Sequence, residues 1–149
     1  MGKIRPICCL LLLFSCSFWP DTRLYAGASQ LTLNNSGIIS EYPGTVTTFK
    51  LYGGSLCQLV IQDRFITGTD TTKVYTGSYQ YSKAAGILSF ELTLDTVDGE
   101  SASADRQYTL IGSSALDLDA DTADLAGSLG GGNLPSTVQV NIMLELVRQ

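Results

Sequence analysis

The strict alternation of apolar and polar residues near the C-terminus is the sequence feature that most constrains the fold. A strand places successive side chains on opposite faces of its sheet, so a period of two gives one apolar face and one polar face. This segment is therefore predicted to be a half-buried antiparallel strand. Its inward residues are Val138, Val140, Ile142, Leu144 and Leu146, and they alternate with Gln139, Asn141, Met143, Glu145 and Val147.

The same period recurs along the chain, and no segment after the N-terminal apolar run shows a helical stripe. In "ILSFELTL" the residues Leu88, Phe90, Leu92 and Leu94 share one face. Turn residues in "NNSG", "YPG", "YGGS", "TGTD" and "VDGESASAD" separate these segments. About eight short strands at this spacing predict a single all-β domain, an antiparallel up-and-down β-barrel with a β-sandwich as the alternative. The weaker strands are expected near residues 31–33, 46–52, 56–65, 72–81 and 107–111.

The N-terminus has the pattern of a secretory signal peptide. Lys3 and Arg5 precede the apolar run "ICCLLLLF", and a polar segment follows. A membrane span would need about 20 apolar residues, and this run is shorter. The run therefore predicts export of the chain rather than a membrane anchor.

Two processing sites compete in this leader. The small residues of "AGA" predict cleavage after Ala28, so that 1–28 is the signal peptide and Ser29 begins a single domain, 29–149. The alternative is cleavage before Cys16, because "LFSC" resembles the lipobox of bacterial lipoproteins, whose cysteine receives a lipid. Either site predicts an extracytoplasmic protein, periplasmic or secreted in the first case and lipid-anchored to a membrane in the second.

A tyrosine-rich unit gives a family resemblance. The stretch "YTGSYQYSKAAGILSFELTL", residues 75–94, resembles the G-x-Y-x-Y, polar turn and apolar strand unit of secreted bacterial β-barrels of the calycin-like (lipocalin-like) kind. The following "DRQYTLIGSSALDLDADTADLAGSL" is similar to the next two strands of such a unit. The lipocalin G-x-W motif is missing, since Trp19, the one tryptophan, lies in the leader. The resemblance implies a barrel and carries over no ligand and no functional residue.

Charge and cysteine content narrow the range of partners. Residues 29–149 carry six basic and thirteen acidic side chains, a net charge of −7. Phosphate binding needs a basic face, so nucleic acid and anionic membrane surfaces are unsuitable partners.

Cys57 is the only cysteine after the leader and lies in the apolar context "SLCQLVI". It is expected to be a small buried hydrophobe, with an intermolecular bridge or a reactive thiol as alternatives.

The absence of histidine removes most catalytic chemistry. Without it, Ser-His-Asp and Cys-His nucleophile systems cannot form, and ordinary zinc sites are nearly excluded. A hydrolase with two carboxylates needs only an acid and a second carboxyl group, but Glu91 and Glu145 are expected to be solvated surface residues. The glycine-rich stretch 127–135 lacks the Lys-Ser/Thr of a phosphate-binding loop and is expected to be a flexible connection. We therefore expect no enzymatic activity and no cofactor.

The acidic stretch "ALDLDADTADLAGSL" is either a calcium loop or an acidic strand. Asp117, Asp119 and Asp121 fit positions 1, 3 and 5 of an EF-hand loop, whereas Thr122 and Ser128 occupy the positions of its glycine and its bidentate glutamate. A strand or strand end with the aspartates outward and the intervening apolar residues inward is the favoured interpretation. The three aspartates remain weak calcium candidates.

Together these patterns predict a secreted or periplasmic, non-enzymatic β-barrel that binds a small apolar ligand or a protein partner. The alternative is a structural or surface-interaction protein, such as a lipoprotein or a subunit that polymerises through its edge strands. A small carboxylate-dependent enzyme is a third option. The barrel interior discriminates between the first two, because a ligand barrel needs a cavity and an interaction module needs a filled core with an exposed apolar patch.

Overall fold

The computed structural model describes residues 22–149, which form nine β-strands and two short 3-10 turns. Cys16 and most of the predicted signal peptide lie outside the described residues. Within 22–149 there is no helix long and apolar enough to span a membrane. The strands are β1 (Arg23–Asn35), β2 (Ile38–Leu51), β3 (Leu56–Asp63), β4 (Thr71–Ser82), β5 (Ile87–Val97), β6 (Glu100–Ser101), β7 (Tyr108–Ala115), β8 (Thr122–Gly131) and β9 (Val138–Arg148).

Eight of these strands close into one antiparallel up-and-down barrel. Each strand in the series β1, β2, β3, β4, β5, β7, β8 and β9 pairs with the next, and β9 pairs with β1 to complete the ring. The two-residue strand β6 only extends the end of β5. The predicted all-β barrel is confirmed, and the closed eight-stranded architecture is consistent with a calycin-like fold.

The hairpin of β1 and β2 is much longer than the sequence pattern predicted. Ser36 and Gly37 form a two-residue turn with φ of 53° and 93°, as a tight hairpin of this twist requires. The side-chain oxygen of Asn34 accepts the N–H of Gly37 at 3.0 Å. The outer part of β1 is polar and the outer part of β2 does not alternate regularly, which is why the sequence indicated strand only near 31–33 and 46–52.

The prediction that the glycine-rich stretch 127–135 is a flexible connection is wrong for its first part, because β8 continues through Gly131. At Gly127 the neighbouring strand approaches closely, and a Cβ atom there would lie 2.9 Å from the backbone oxygen of Ile111. Glycine at this point permits close packing of β7 on β8. Only residues 132–137 connect β8 to β9.

Large side chains fill the interior of the barrel. The rings of Phe49 and Phe90 pack with centroids 5.5 Å apart, and those of Phe65 and Tyr108 with centroids 6.1 Å apart. Eight strands enclose a space just wide enough for side chains. The other fully buried large residues include Tyr25, Leu31, Leu59, Ile61, Tyr75, Leu88, Leu92, Leu94, Leu110 and Leu125.

Replacement of Gly112 by alanine is expected to destabilise this core. A Cβ atom on Gly112 would lie 2.1 Å from the Cζ atom of Phe90, so the ring must move, at a cost of about 1–3 kcal/mol in the free energy of unfolding. Chemical denaturation measures this change. The matched control is Gly130→Ala, since a Cβ atom on Gly130 meets nothing within 4 Å; equal stability of the two variants would contradict the proposed packing.

Candidate binding surface

The acidic stretch 115–129 is strand only in part: Ala115 ends β7 and residues 122–129 belong to β8, whereas Asp117, Asp119 and Asp121 lie in the connection 116–121, where the strand interpretation is wrong. At the start of this connection the N–H of Leu116 donates to the backbone oxygen of Gly86 at 2.8 Å. The predicted alternation is nevertheless correct. Leu116 is buried, Leu118 and Ala120 are half-buried, and Asp117, Asp119 and Asp121 are exposed.

The three aspartates are not grouped as a metal site in the described part of the chain. Among residues 22–149, no three acidic, cysteine or histidine side chains are grouped so that they could hold a metal ion. A carboxylate oxygen of Asp117 accepts the backbone N–H of Asp119 at 2.9 Å, which caps the turn. The guanidinium of Arg23 lies 3.9 Å from the Asp119 carboxylate. The carboxylates of Asp117 and Asp119 therefore make contacts at the turn, and calcium binding here stays a prediction.

The two carboxylates considered for hydrolysis are not brought together. Glu91 lies on β5 and Glu145 on β9, both are exposed, and β7 and β8 lie between those strands in the sheet. A pair that hydrolyses a glycosidic bond has its carboxyl groups within about 10 Å across a shared cleft. The placement of Glu91 and Glu145 on non-adjacent strands offers no such arrangement.

A buried ion pair is the one charged feature of the interior that the sequence analysis missed. Lys73 Nζ lies 2.5 Å from Asp63 Oδ1, and the two side chains are 0% and 2% exposed. Lys73 also donates to the backbone oxygen of Asp63 at 2.8 Å. Asp63 continues the inward series of Leu59 and Ile61 on β3. Two opposite charges on the inward faces of adjacent strands were the signal that could have revealed the pair.

This ion pair has a structural role because neither group meets solvent. Asp63 Oδ1 also accepts a hydrogen bond of 3.0 Å from the N–H of Phe65. This second hydrogen bond fixes the turn after β3. Burial raises the pKa of the adjacent Tyr75, and the Asp63 charge raises it further, so that phenol stays protonated. A reacting group would need access to substrate, and this pair has none.

Substitution of Lys73 by methionine is expected to lower the free energy of unfolding by about 3–5 kcal/mol, because it leaves the Asp63 carboxylate buried without a cation. Addition of Asp63→Asn should recover part of the loss, since the amide oxygen can still accept the Phe65 N–H. Urea denaturation compares these variants with Lys83→Met at an exposed position. Equal stability of Lys73→Met and Lys83→Met would contradict this role.

Cys57 is buried, as its sequence context predicted, and is the free cysteine of the described chain. Its residue exposure is 3%. Desolvation by burial raises the pKa of the thiol to about 12. Because the thiolate is the reactive form, such a thiol is a poor nucleophile at neutral pH.

Cys57 is therefore expected to resist a maleimide reagent at pH 8 in the folded protein and to react with one equivalent after unfolding in guanidinium. With the pKa at about 12, only about one thiol in ten thousand is ionised at that pH. Mass spectrometry counts the label. Ser113→Cys adds an exposed thiol and serves as the reactive control, and rapid labelling of native Cys57 itself would show that the site is accessible.

The outer part of β2 is a free sheet edge. Residues Ile38 to Gly44 pair with β1 on one side, whereas β3 begins to pair only at Val46. Backbone N–H and C=O groups on the unpaired side of such a strand are a template for another extended chain. Proline and charge commonly protect edges of this kind, and Pro43 and Glu41 occupy this one.

The loop between β3 and β4 faces this edge across a groove of about 440 Å³. The ring of Phe65 packs edge-on against Tyr42, with centroids 5.4 Å apart, and holds the loop against the end of the barrel. Arg64 and Asp70 form an ion pair of 3.4 Å within the loop. We call this the β2-edge groove. It is lined by Glu41, Tyr42, Pro43, Thr45, Arg64, Gly68 and Asp70.

Two exposed isoleucines lie on β2 between the residues of the β2-edge groove and the hairpin tip. Ile38 and Ile39 are 72% and 63% exposed, the highest values among the large apolar side chains of residues 22–149. Sequence reasoning missed this surface because "YPG" was taken as a turn, whereas Tyr42, Pro43 and Gly44 lie within β2. The only signal was the pair of adjacent isoleucines after "NNSG".

No protein-family model matches the chain, and comparison with curated proteins and with solved structures also finds no match. Residues 22–149 define the class by their fold: a closed eight-stranded antiparallel β-barrel whose interior is filled by side chains, with exposed isoleucines on the outer part of β2, which β3 does not pair.

Proposed function

We propose that this protein is an extracytoplasmic, non-enzymatic β-barrel that binds an extended segment of a protein partner at the β2-edge groove. The free edge of β2 with its two exposed isoleucines carries the proposal. Addition of a strand to a sheet edge gives affinity through main-chain hydrogen bonds and specificity through side-chain pockets. The signal peptide predicted from the sequence supports a location outside the cytoplasm, and the barrel architecture supports membership of the calycin-like class.

The filled interior favours a protein partner over a small apolar ligand. A ligand pocket is a concave cavity that buries most of its ligand. Phe49, Phe90, Tyr25 and Tyr75 occupy the space where such a ligand would lie, and each is at most 3% exposed. A ligand in the barrel would have to displace these rings, whereas an extended segment at the edge displaces none of them.

The charge of the groove indicates the chemistry of the partner. Glu41 lies midway along the free edge, and none of the three ion pairs formed within residues 22–149 includes it. An incoming strand with a lysine or arginine opposite Glu41 would pair with it, and the acidic surface would attract a basic partner before contact. The proposed occupant is thus an extended segment that combines apolar residues with a basic residue.

A second copy of the chain fits this edge less well. A symmetric antiparallel pair formed by the free segment, Ile38 to Gly44, has Glu41 at its centre and would place two glutamates opposite each other. Like charges at directly opposed positions are destabilising. Polymerisation through this edge, the structural alternative from the sequence, is therefore the less favoured function.

A displayed library of random peptides tests the proposal without knowledge of the natural partner. Peptides selected on the protein should be enriched in basic and apolar residues, and their binding should shift the amide resonances of Ile38 to Gly44. The variant Ile39→Lys, with a charge on the outer face of the edge, is expected to weaken binding by at least tenfold, which is about 1.4 kcal/mol.

The matched control is Ile111→Lys, at a residue that is 56% exposed on β7, away from this edge. It should leave the affinity unchanged. Binding that shifts resonances of the interior aromatic rings would instead support a ligand in the barrel. A concentration-dependent dimer, lost in Ile39→Lys, would support self-pairing and contradict the proposed partner.

A further inference from the structure

We infer that the leader is cleaved on the N-terminal side of Arg23, so that the mature protein retains the whole of β1. This inference rests on the export of the chain in the proposed function. It differs from cleavage between Ala28 and Ser29, which lie inside β1. The step is a hydrolysis, in which water supplies a hydroxyl group to the new carboxyl end and a hydrogen to the new amino end.

The first six residues of β1 pair with the neighbouring strands, 23–27 with β2 and 25–28 with β9. Tyr25 pairs with Phe49 of β2 and with Arg148 of β9, and the pairing continues past Ala28. These contacts form part of the β1 and β9 seam that closes the barrel. A chain that began at Ser29 would leave the ends of β2 and β9 unpaired on the side that β1 now occupies, although β2 would keep β3 and β9 would keep β8.

The same residues also complete the core at this end of the barrel. Tyr25 is 0% exposed. Beside it, the guanidinium of Arg23 donates to the backbone oxygen of Leu118, and the N–H of Gln149 donates to the backbone oxygen of Leu24 at 2.9 Å. Loss of residues 23–28 would open the interior at this end. It would also remove the hydrogen bonds that hold the connection between β7 and β8 and the C-terminal residue.

Ser29, the residue that would become the new amino terminus, is part of the barrel wall in the intact chain. Ser29 is 6% exposed, and its side-chain oxygen accepts a hydrogen bond of 2.7 Å from the Thr47 hydroxyl. An α-amino group is largely protonated at neutral pH. Cleavage before Ser29 would therefore place a charged group beside this hydroxyl pair in a wall that is largely apolar on its inner side, and bringing a charge into such surroundings is costly.

The small residues of "AGA", which resemble a signal-peptidase site, have a structural cause. A Cβ atom on Gly27 would lie 2.1 Å from the backbone oxygen of Glu145, so β9 crosses too closely for any side chain. The pairing with β2 shifts register between Gly27 and Ser29, which forms a bulge around Ala28. Close packing and a bulge favour small residues without any need for a protease.

The decisive experiment is the intact mass of the protein recovered from the extracytoplasmic fraction of a bacterial host that expresses the full chain. The expected mass includes residues Arg23 to Ala28. A mass that begins at Ser29 would overturn the inference and leave export intact. An uncut chain retained in the cytoplasm would instead overturn export itself, so the two failures are distinguishable.

A second variant tests the same point through stability. Tyr25→Ala in the full chain should lower the melting temperature of the exported protein by about 10 °C or more. Leu24→Ala, at a residue that is 38% exposed, is the matched control and should change it little. An exported Tyr25→Ala protein with an unchanged melting temperature would show that residue 25 is absent or dispensable, and would overturn the inference.

Discussion

The pairing of β1 with β9 is the interaction on which the rest of the structure depends. It joins the first and last strands over eleven residue pairs, from Tyr25 with Arg148 to Asn35 with Val138. Without it the sheet would have two free edges and its apolar face would meet water. Closure removes those edges. The close approach at Gly27 shows how tightly this seam is packed, since no other residue type fits beside Glu145.

Closure also determines where this barrel can act. An eight-stranded barrel has little internal space, and here aromatic rings and leucines occupy it. The buried Lys73 and Asp63 pair belongs to that interior and is sealed from solvent. The proposed recognition accordingly lies on the outer surface, where β2 extends beyond the reach of β3 and keeps one side unpaired.

Periodicity predicted the parts of the fold that combine one apolar face with one polar face. β5 and β9 have this pattern, and both were identified from it. The pattern fails where a strand has no core to face: the outer half of β2 carries Ile39, Glu41 and Pro43 outside the barrel, so no period marks it. The period of β3 and β4 places Asp63 and Lys73 on inward faces, but that the two side chains meet depends on the register of β3 and β4, which the local pattern does not encode. The candidate groove depends on that same tertiary arrangement.

The barrel is fully paired at its middle and incompletely paired near its ends. β2 separates from β3 beyond Val46, β4 extends past the start of β3 from Tyr79 to Ser82, and the pairing of β7 with β8 stops at Gly112, so that Ala126 donates its N–H to the hydroxyl of Ser114. Local opening can start at these places without breaking the closed ring. The molecule thus combines a rigid middle with several places of easy backbone access near its ends, and the one at β2 presents exposed isoleucines to its surroundings.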